Sequence, residues 1–164
     1  MSTPVAGDAG TSADVAGPAS DVRVAGHVIP DSHRDLFERA IPAVLTTLGP
    51  DDSPRSSLVW VDLEDGLPRV NTTLERLKGR DMRRDPRVSL LVVDPDDTSR
   101  YIQVRGVVTL TRKGAEAHLV RLTRAYTGHP AYYGYVYPEA QRERETRVIA
   151  TIRPLRITLD AIHR

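Results

Sequence analysis

The feature that most constrains this chain is the shortness of the links between its strand-like runs. Apolar or alternating stretches stand at 43–48, 56–62, 67–72, 88–93 and 101–111, with a last one at 147–159. Pro50-Asp51-Asp52-Ser53-Pro54, Asp65-Gly66 and Pro95-Asp96-Asp97 punctuate them with turn chemistry. A parallel connection needs a crossover of about a dozen residues or more, and most of these links are too short for one. The spacing predicts a mainly β chain with flanking helices: a six-stranded antiparallel sheet closing into a barrel rather than a doubly wound parallel sheet.

The helices fall between and around these runs. Ser32 and Asp35 have the spacing of a capping box, followed by an apolar face of Leu36, Phe37, Ala40 and Ile41 that Pro42 terminates. A second helix is expected at 75–84, closed by Pro86. A third is expected at 113–126, with Ala115, Leu119, Leu122 and Tyr126 inward. The unbroken apolar run 88–93 is suited to burial on both faces, and Gly106 within the longest run marks a bulge or barrel bend. Residues 127–144 read as a loop carrying Tyr132, Tyr133, Tyr135 and Tyr137, either the lining of a substrate mouth or a packed loop. Residues 1–27 lack aromatics and any clean period, so they are expected to form a disordered tail ahead of one folded domain, 28–164.

Composition removes several function classes. With 23 Lys and Arg against 22 Asp and Glu, the net charge of +1 exerts no global pull on nucleic acid or anionic membrane. The absence of cysteine excludes disulfides, thiolate metal sites and Cys nucleophiles. His27, His33, His118, His129 and His163 lack metal-binding spacing, so no metal is expected. No P-loop, nucleophile elbow or dinucleotide fingerprint is present. No basic residue precedes Arg23 and no apolar run approaches the roughly 20 residues of a membrane helix, so a cytoplasmic location is expected.

One stretch carries chemistry. Ser56, Ser57, Thr72 and Thr73 offer hydroxyls, and Arg76 and Lys78 put positive charge into the first turn of the second expected helix, where acids are ordinarily favoured. An anion at that helix start would account for the inversion. The alternative is that the whole run of Arg76, Lys78, Arg80, Arg83, Arg84 and Arg87 is a solvated helix face.

Three pieces, AVLTTLGPDDSPRSSLVWVD from Ala43, VNTTLERLKGRDMRRDPRVSLLVVDPDD from Val70 and RYIQVRGVV from Arg100, resemble in combination the pyridoxamine 5′-phosphate oxidase-like split-barrel superfamily. Within it they look most like the branch that binds the deazaflavin coenzyme F420. The resemblance covers about residues 32–157 and implies an FMN-binding split barrel whose cofactor lies between two subunits, hence a homodimer. It implies that Ser56, Ser57, Val59 and Trp60 run along the ring and ribityl chain. Asn71, Thr72, Thr73, Arg76 and Lys78 would hold the phosphate, and Tyr101 would lie near the cofactor. Trp60 and Tyr101 are equally readable as structural aromatics.

Departures from the family pattern narrow the activity. Leu77 precedes the lysine where a polar residue is common, Leu58 stands where Pro is frequent, and Ser56 and Val61 stand near the places of an Arg and a Lys in the oxidase proper. Vitamin B6 oxidase activity is thus disfavoured. The resemblance implies a deazaflavin-dependent oxidoreductase acting on a small-molecule acceptor with an activated double bond or similar group. An FMN-binding oxidoreductase or flavin carrier is the first alternative. A non-catalytic nucleic-acid binder using the run 76–87 is the second, and the near-neutral charge argues against it.

Overall fold

The structure, a computed structural model, describes residues 28–160. The tail expected at 1–27 lies outside the described residues, as do 161–164. Seven strands form one antiparallel sheet: β1 (Ala43–Leu48), β2 (Pro54–Val59), β3 (Val61–Glu64), β4 (Leu67–Thr73), β5 (Arg87–Val93), β6 (Tyr101–Thr111) and β7 (Arg147–Leu159). Their order across the sheet is β2-β1-β5-β6-β7-β4-β3. Three helices flank it: α1 (Asp35–Glu38), α2 (Leu77–Arg84) and α3 (Ala115–Thr127).

The split barrel is therefore built from seven strands, one more than the six read from the sequence. The run expected as a single strand at 56–62 is interrupted at Trp60, and its two halves go to opposite edges of the sheet: β2 pairs with β1, and β3 pairs with β4. One residue can bridge the two edges only if the sheet is rolled until they nearly meet. Continuous alternation in sequence hides such a break, because Val59 and Val61 both still point into the core.

Inward residues of the sheet make that core. Leu45, Val61, Val70, Leu90, Val92, Ile102, Val104 and Ile152 are all almost fully buried, and Leu36 and Phe37 of α1 cap them. β5, expected to be buried on both faces, hides Val88, Leu90 and Val92 fully while Leu91 and Val93 stay half-buried. The Asp65-Gly66 turn has both residues at positive φ (52° and 74°), which matches the right-handed twist of the hairpin it closes. At Gly106 the register between β6 and β7 slips, and a Cβ there would stand 2.2 Å from the Arg153 carbonyl oxygen, so only glycine admits this close backbone approach.

Two local expectations fail, each because a tertiary partner wins. The Ser32–Asp35 capping box does not form: Ser32 Oγ pairs with His33 Nδ1 at 2.9 Å, and Asp35 is taken by Arg100. Only a short turn of helix remains, and Ala40 leaves it at φ 53°. In the second case α2 starts at Leu77 instead of 75. The Leu74 N–H donates to the Thr146 carbonyl (3.0 Å) and Thr146 N–H donates to Glu75 Oε2 (2.9 Å), which extends the strand pairing past β4. Arg76 therefore stands at the N-cap position, ahead of the helix, and Lys78 is its second residue.

A charge network ties α1 to the β5–β6 turn. Arg100 donates to Asp35 (Nη2–Oδ1 2.6 Å, Nη1–Oδ2 3.0 Å) and to Asp94 (2.8 Å). Arg39 donates to Asp94 at 3.2 Å and also reaches Asp96. The Arg100 hydrogen bond holds the Asp35 carboxyl below the ordinary carboxylate range. The Asp96 backbone N–H, followed by Arg100, does the same for Asp94.

Candidate functional site

Two concave regions border α3. The larger, about 650 Å³, is an open groove between α1, β3 and α3, and it contains none of the cofactor-binding residues expected from the sequence. The smaller, about 280 Å³, gathers Val59, Trp60, Asn71, Arg76 and Lys78 with Leu58, Tyr132, Val136 and Arg147. We place the candidate site in the smaller cleft, because cations converge there on an apolar and aromatic wall.

The positive charge comes from three elements. Arg76 stands at the N-cap position of α2, Lys78 sits in its first turn, and Arg147 opens β7. Gly79 brings that turn against the end of β4: a Cβ at 79 would lie 1.9 Å from the Thr73 carbonyl oxygen. Arg76 Nη2 donates to Glu145 Oε1 (3.1 Å) and to the Tyr132 hydroxyl (3.4 Å). Arg147 Nη2 donates to Glu145 Oε2 (2.8 Å) and its Nε to the Tyr133 hydroxyl (2.9 Å). One carboxylate thus serves two guanidinium groups.

Burial opposes ionisation of Glu145, but the Tyr133 hydroxyl, Arg147 and Arg76 outweigh it and hold the acid below its ordinary range. Burial also works against the charge on Arg76, and Tyr132 and Glu145 more than offset it. Burial and the Glu145 carboxylate push the Tyr133 phenol up to about 12, so it stays a donor. Lys78 differs from both arginines. It is half-buried and makes no ion pair among the described residues, and burial followed by repulsion from Arg76 lowers its ammonium below the usual lysine value. Both causes would be relieved by an anion.

The aromatic wall is ordered by stacking. Trp60 lies on Tyr126 (5.3 Å between centroids, 19°) and meets Tyr132 edge-on (6.1 Å, 84°). The Arg147 guanidinium lies 4.7 Å over the Tyr132 ring, and Arg76 lies 5.5 Å over Tyr137. Within the tyrosine segment, Tyr133 is packed, Tyr132 walls the cleft, and Tyr135 and Tyr137 remain exposed.

The remaining residues read from the sequence are placed elsewhere. Ser56 Oγ pairs with Thr46 Oγ1 (2.8 Å) on the sheet surface, and Ser57 lies beside it, paired in register with Leu45. Thr73 Oγ1 accepts from the Arg76 N–H (3.3 Å) and shapes the helix start. Thr72 points to the core side with Val70, and its Oγ1 has no hydrogen-bond partner among the described residues. Tyr101 lies toward the opposite end of β7 from Arg147, where its N–H donates to Asp160 Oδ1 (3.2 Å). Asn71 reaches the cleft, but its amide is engaged within the protein: Nδ2 donates to Ala115 O (2.8 Å) and contacts His118 Nδ1 (3.3 Å).

The basic run is not uniform either. Arg84 is held by Asp81 and the Leu48 carbonyl, Arg87 by Asp85, and Arg80 and Arg83 are exposed. Among the described residues no cluster of His, Cys, Asp or Glu could hold a metal, and no helix is long and apolar enough to cross a membrane.

Arg147, Glu145 and Gly79 were missed in the sequence. The available signal was Arg147 itself, a charged residue opening the apolar run Val148-Ile149-Ala150. At 6% exposure it is one of the few buried cations among the described residues.

Comparison with known proteins agrees with this architecture. A family model described as pyridoxamine 5′-phosphate oxidase matches residues 29–159. No curated protein matches. A solved structure named as an F420 reductase shares 28% identity at a TM-score of 0.66, over 79% of this chain and 98% of that one. A conserved hypothetical protein from Mycobacterium tuberculosis shares 27% at 0.63, over 83% and 87%. A protein of unknown function from Agrobacterium tumefaciens, at 19% identity and 0.60 over 86% of this chain and 62% of that one, shares the fold.

Proposed function

Since the chain belongs to the pyridoxamine 5′-phosphate oxidase family, we propose that it is an oxidoreductase that binds a flavin-type cofactor in the Lys78 cleft, with the deazaflavin coenzyme F420 as first choice. The observation that carries this reading is Lys78: a half-buried ammonium without an ion pair among the described residues, next to a second cation and an aromatic wall. The donor set fits the group, because it offers charge to a phosphate and apolar surface to a planar ring. When bound, the reduced cofactor supplies a hydride for an activated double bond or similar acceptor.

The chain's own residues then bind and orient. Lys78 and Arg76 hold the anionic end, and Glu145 and Tyr133 set the guanidinium planes. Val59, Trp60 and Tyr132 exclude water from the ring side. At about 280 Å³ the cleft is near the small end of ligand sites, which run from about 300 to 1,000 Å³, so one chain holds part of a flavin-sized molecule. A two-fold homodimer would complete the site, and sedimentation with cofactor present would show twice the chain mass. A monomer that still binds would defeat that part of the proposal.

The name of the solved F420 reductase supports deazaflavin over FMN. Titration with each cofactor, followed through Trp60 fluorescence, tests the choice. Tight FMN binding without deazaflavin binding reverses it. Failure of both defeats the cofactor reading.

A further inference from the structure

Behind the cleft wall runs a polar chain that the cofactor reading does not use. It begins at Asp62 on β3, passes through the fully buried ring of His118 on α3 to Asn71 on β4, and ends at Arg147. One backbone group fixes the orientation of every member. The Ala115 carbonyl can only accept, so the Asn71 atom 2.8 Å from it is the amide nitrogen. The second N–H of that nitrogen faces His118 Nδ1 at 3.3 Å, so Nδ1 is the acceptor and the ring proton sits on Nε2, which donates to Asp62 Oδ1 at 3.0 Å. This leaves the Asn71 oxygen facing Arg147 Nη1 at 3.4 Å.

We infer that His118 is a positioning residue for the anion-binding cleft: its ring, acting through Asn71, holds the Arg147 guanidinium against the cleft wall. The inference rests on the reading that this cleft binds an anionic group. With no acceptor at the place of Nδ1, one Asn71 N–H is left unpaired and the amide is no longer pinned from that side; flipping it would turn its oxygen on the Ala115 carbonyl and its NH₂ on Arg147. Arg147 is then left to Glu145 and Tyr133.

The charges around the ring are defined from each element that meets it. Asp62 on β3 faces Nε2 and is itself clamped by Arg69 of β4 (3.0 and 2.8 Å), with Arg121 of α3 at 3.8 Å. On the Nδ1 side the neutral Asn71 intervenes, with Arg147 of β7 behind it. An amide does not pass a proton on, so this chain sets geometry and is not a proton wire.

Two near-isosteric variants separate the two halves of the ring. In His118→Asn the side-chain oxygen takes the place of Nδ1 and still accepts from Asn71. In His118→Gln the amide nitrogen takes the place of Nε2 and keeps Asp62, but the Nδ1 acceptor is lost. With FMN and the deazaflavin as probes at neutral pH, His118→Asn should bind close to wild type, whereas His118→Gln should bind about five-fold more weakly, the size of one hydrogen bond.

Nitrogen NMR of the unliganded protein gives a readout independent of cofactor. The Nε2–H tautomer in the wild type, with Asn71 amide and Arg147 guanidinium signals that move in His118→Gln and keep their place in His118→Asn, supports the inference. The Nδ1–H tautomer, signals that stand still, or equal affinities of the two variants would overturn it. If neither probe binds the wild type while the coupled NMR shifts appear, the cofactor reading fails and the positioning chain stands.

Discussion

Two arginine clusters at different places in this barrel look alike in composition and differ in charge balance. At the α1 end, Arg39 and Arg100 face Asp35, Asp94 and Asp96, so carboxylates outnumber guanidinium groups. At the cleft, Arg76 and Arg147 share the single carboxylate of Glu145, and Lys78 has no carboxylate partner among the described residues. In the first cluster every guanidinium already has carboxylate partners within the chain. The second carries excess positive charge that has been partly withdrawn from water, a costly arrangement unless an anion joins it. Arginine count does not distinguish a structural clamp from a binding site; the ratio of buried cations to acids does.

The sharpest way to break this contrast is Gly79→Ala. The new methyl would overlap the Thr73 carbonyl, a backbone atom that no rotamer change can move away, so α2 must shift with Lys78 on it. We expect a stability loss of about 3 kcal/mol, the upper part of the range for overpacking, together with weakened cofactor binding. Calorimetry and titration of the same variant measure both, and a normal melting temperature would show that α2 sits farther from β4 than described.

Lys78→Ala should next remove about 1.5–3 kcal/mol of cofactor affinity, the scale of a charge-assisted hydrogen bond, with little change in melting. Arg76→Ala should act in the same direction but less, and Arg87→Ala, whose charge is already spent on Asp85, should change almost nothing. Binding should also weaken as salt rises. If Lys78→Ala and Arg87→Ala both bind like wild type, the excess charge is merely a solvated face.

Arg100→Ala should show the reverse pattern. It removes hydrogen bonds to two carboxylates and costs about 1–2 kcal/mol of stability, the lower part of the range for charged groups because the cluster is partly open to water. Cofactor affinity should not move. A loss of binding comparable to that of Lys78→Ala would erase the distinction between the clusters.

The smallest effect is on the acid limb. Asp35 and Asp94 have folded values below their unfolded ones, so their contribution is fully present above the unfolded value, about 3.9, and is lost as pH falls through the lowered values. Melting temperature should therefore drop below about pH 4. Arg100→Ala should flatten that drop, and an equally steep limb in the variant would assign acid sensitivity elsewhere, with Glu145 the next carboxylate to test.

What the sequence by itself determined is local. The positions of most strands, antiparallel pairing, the Asp65-Gly66 hairpin and the Gly106 bulge follow from side-chain period, link length and glycine's conformational freedom, all readable within a few residues. So does the nearness of Asn71, Arg76 and Lys78, which lie within one stretch and line one cleft. Only the tertiary structure decided that Trp60 divides one run between two sheet edges, that Asp35 serves Arg100 instead of a helix cap, and that Asn71 is engaged inward. It also brought Glu145 to Arg76 across 69 positions and Arg147 to Asn71 across 76. The physical reason is that ion pairs and hydrogen bonds act over a few ångströms of space, and only the rolled sheet, by laying β7 against β4, turns such separations in sequence into contact.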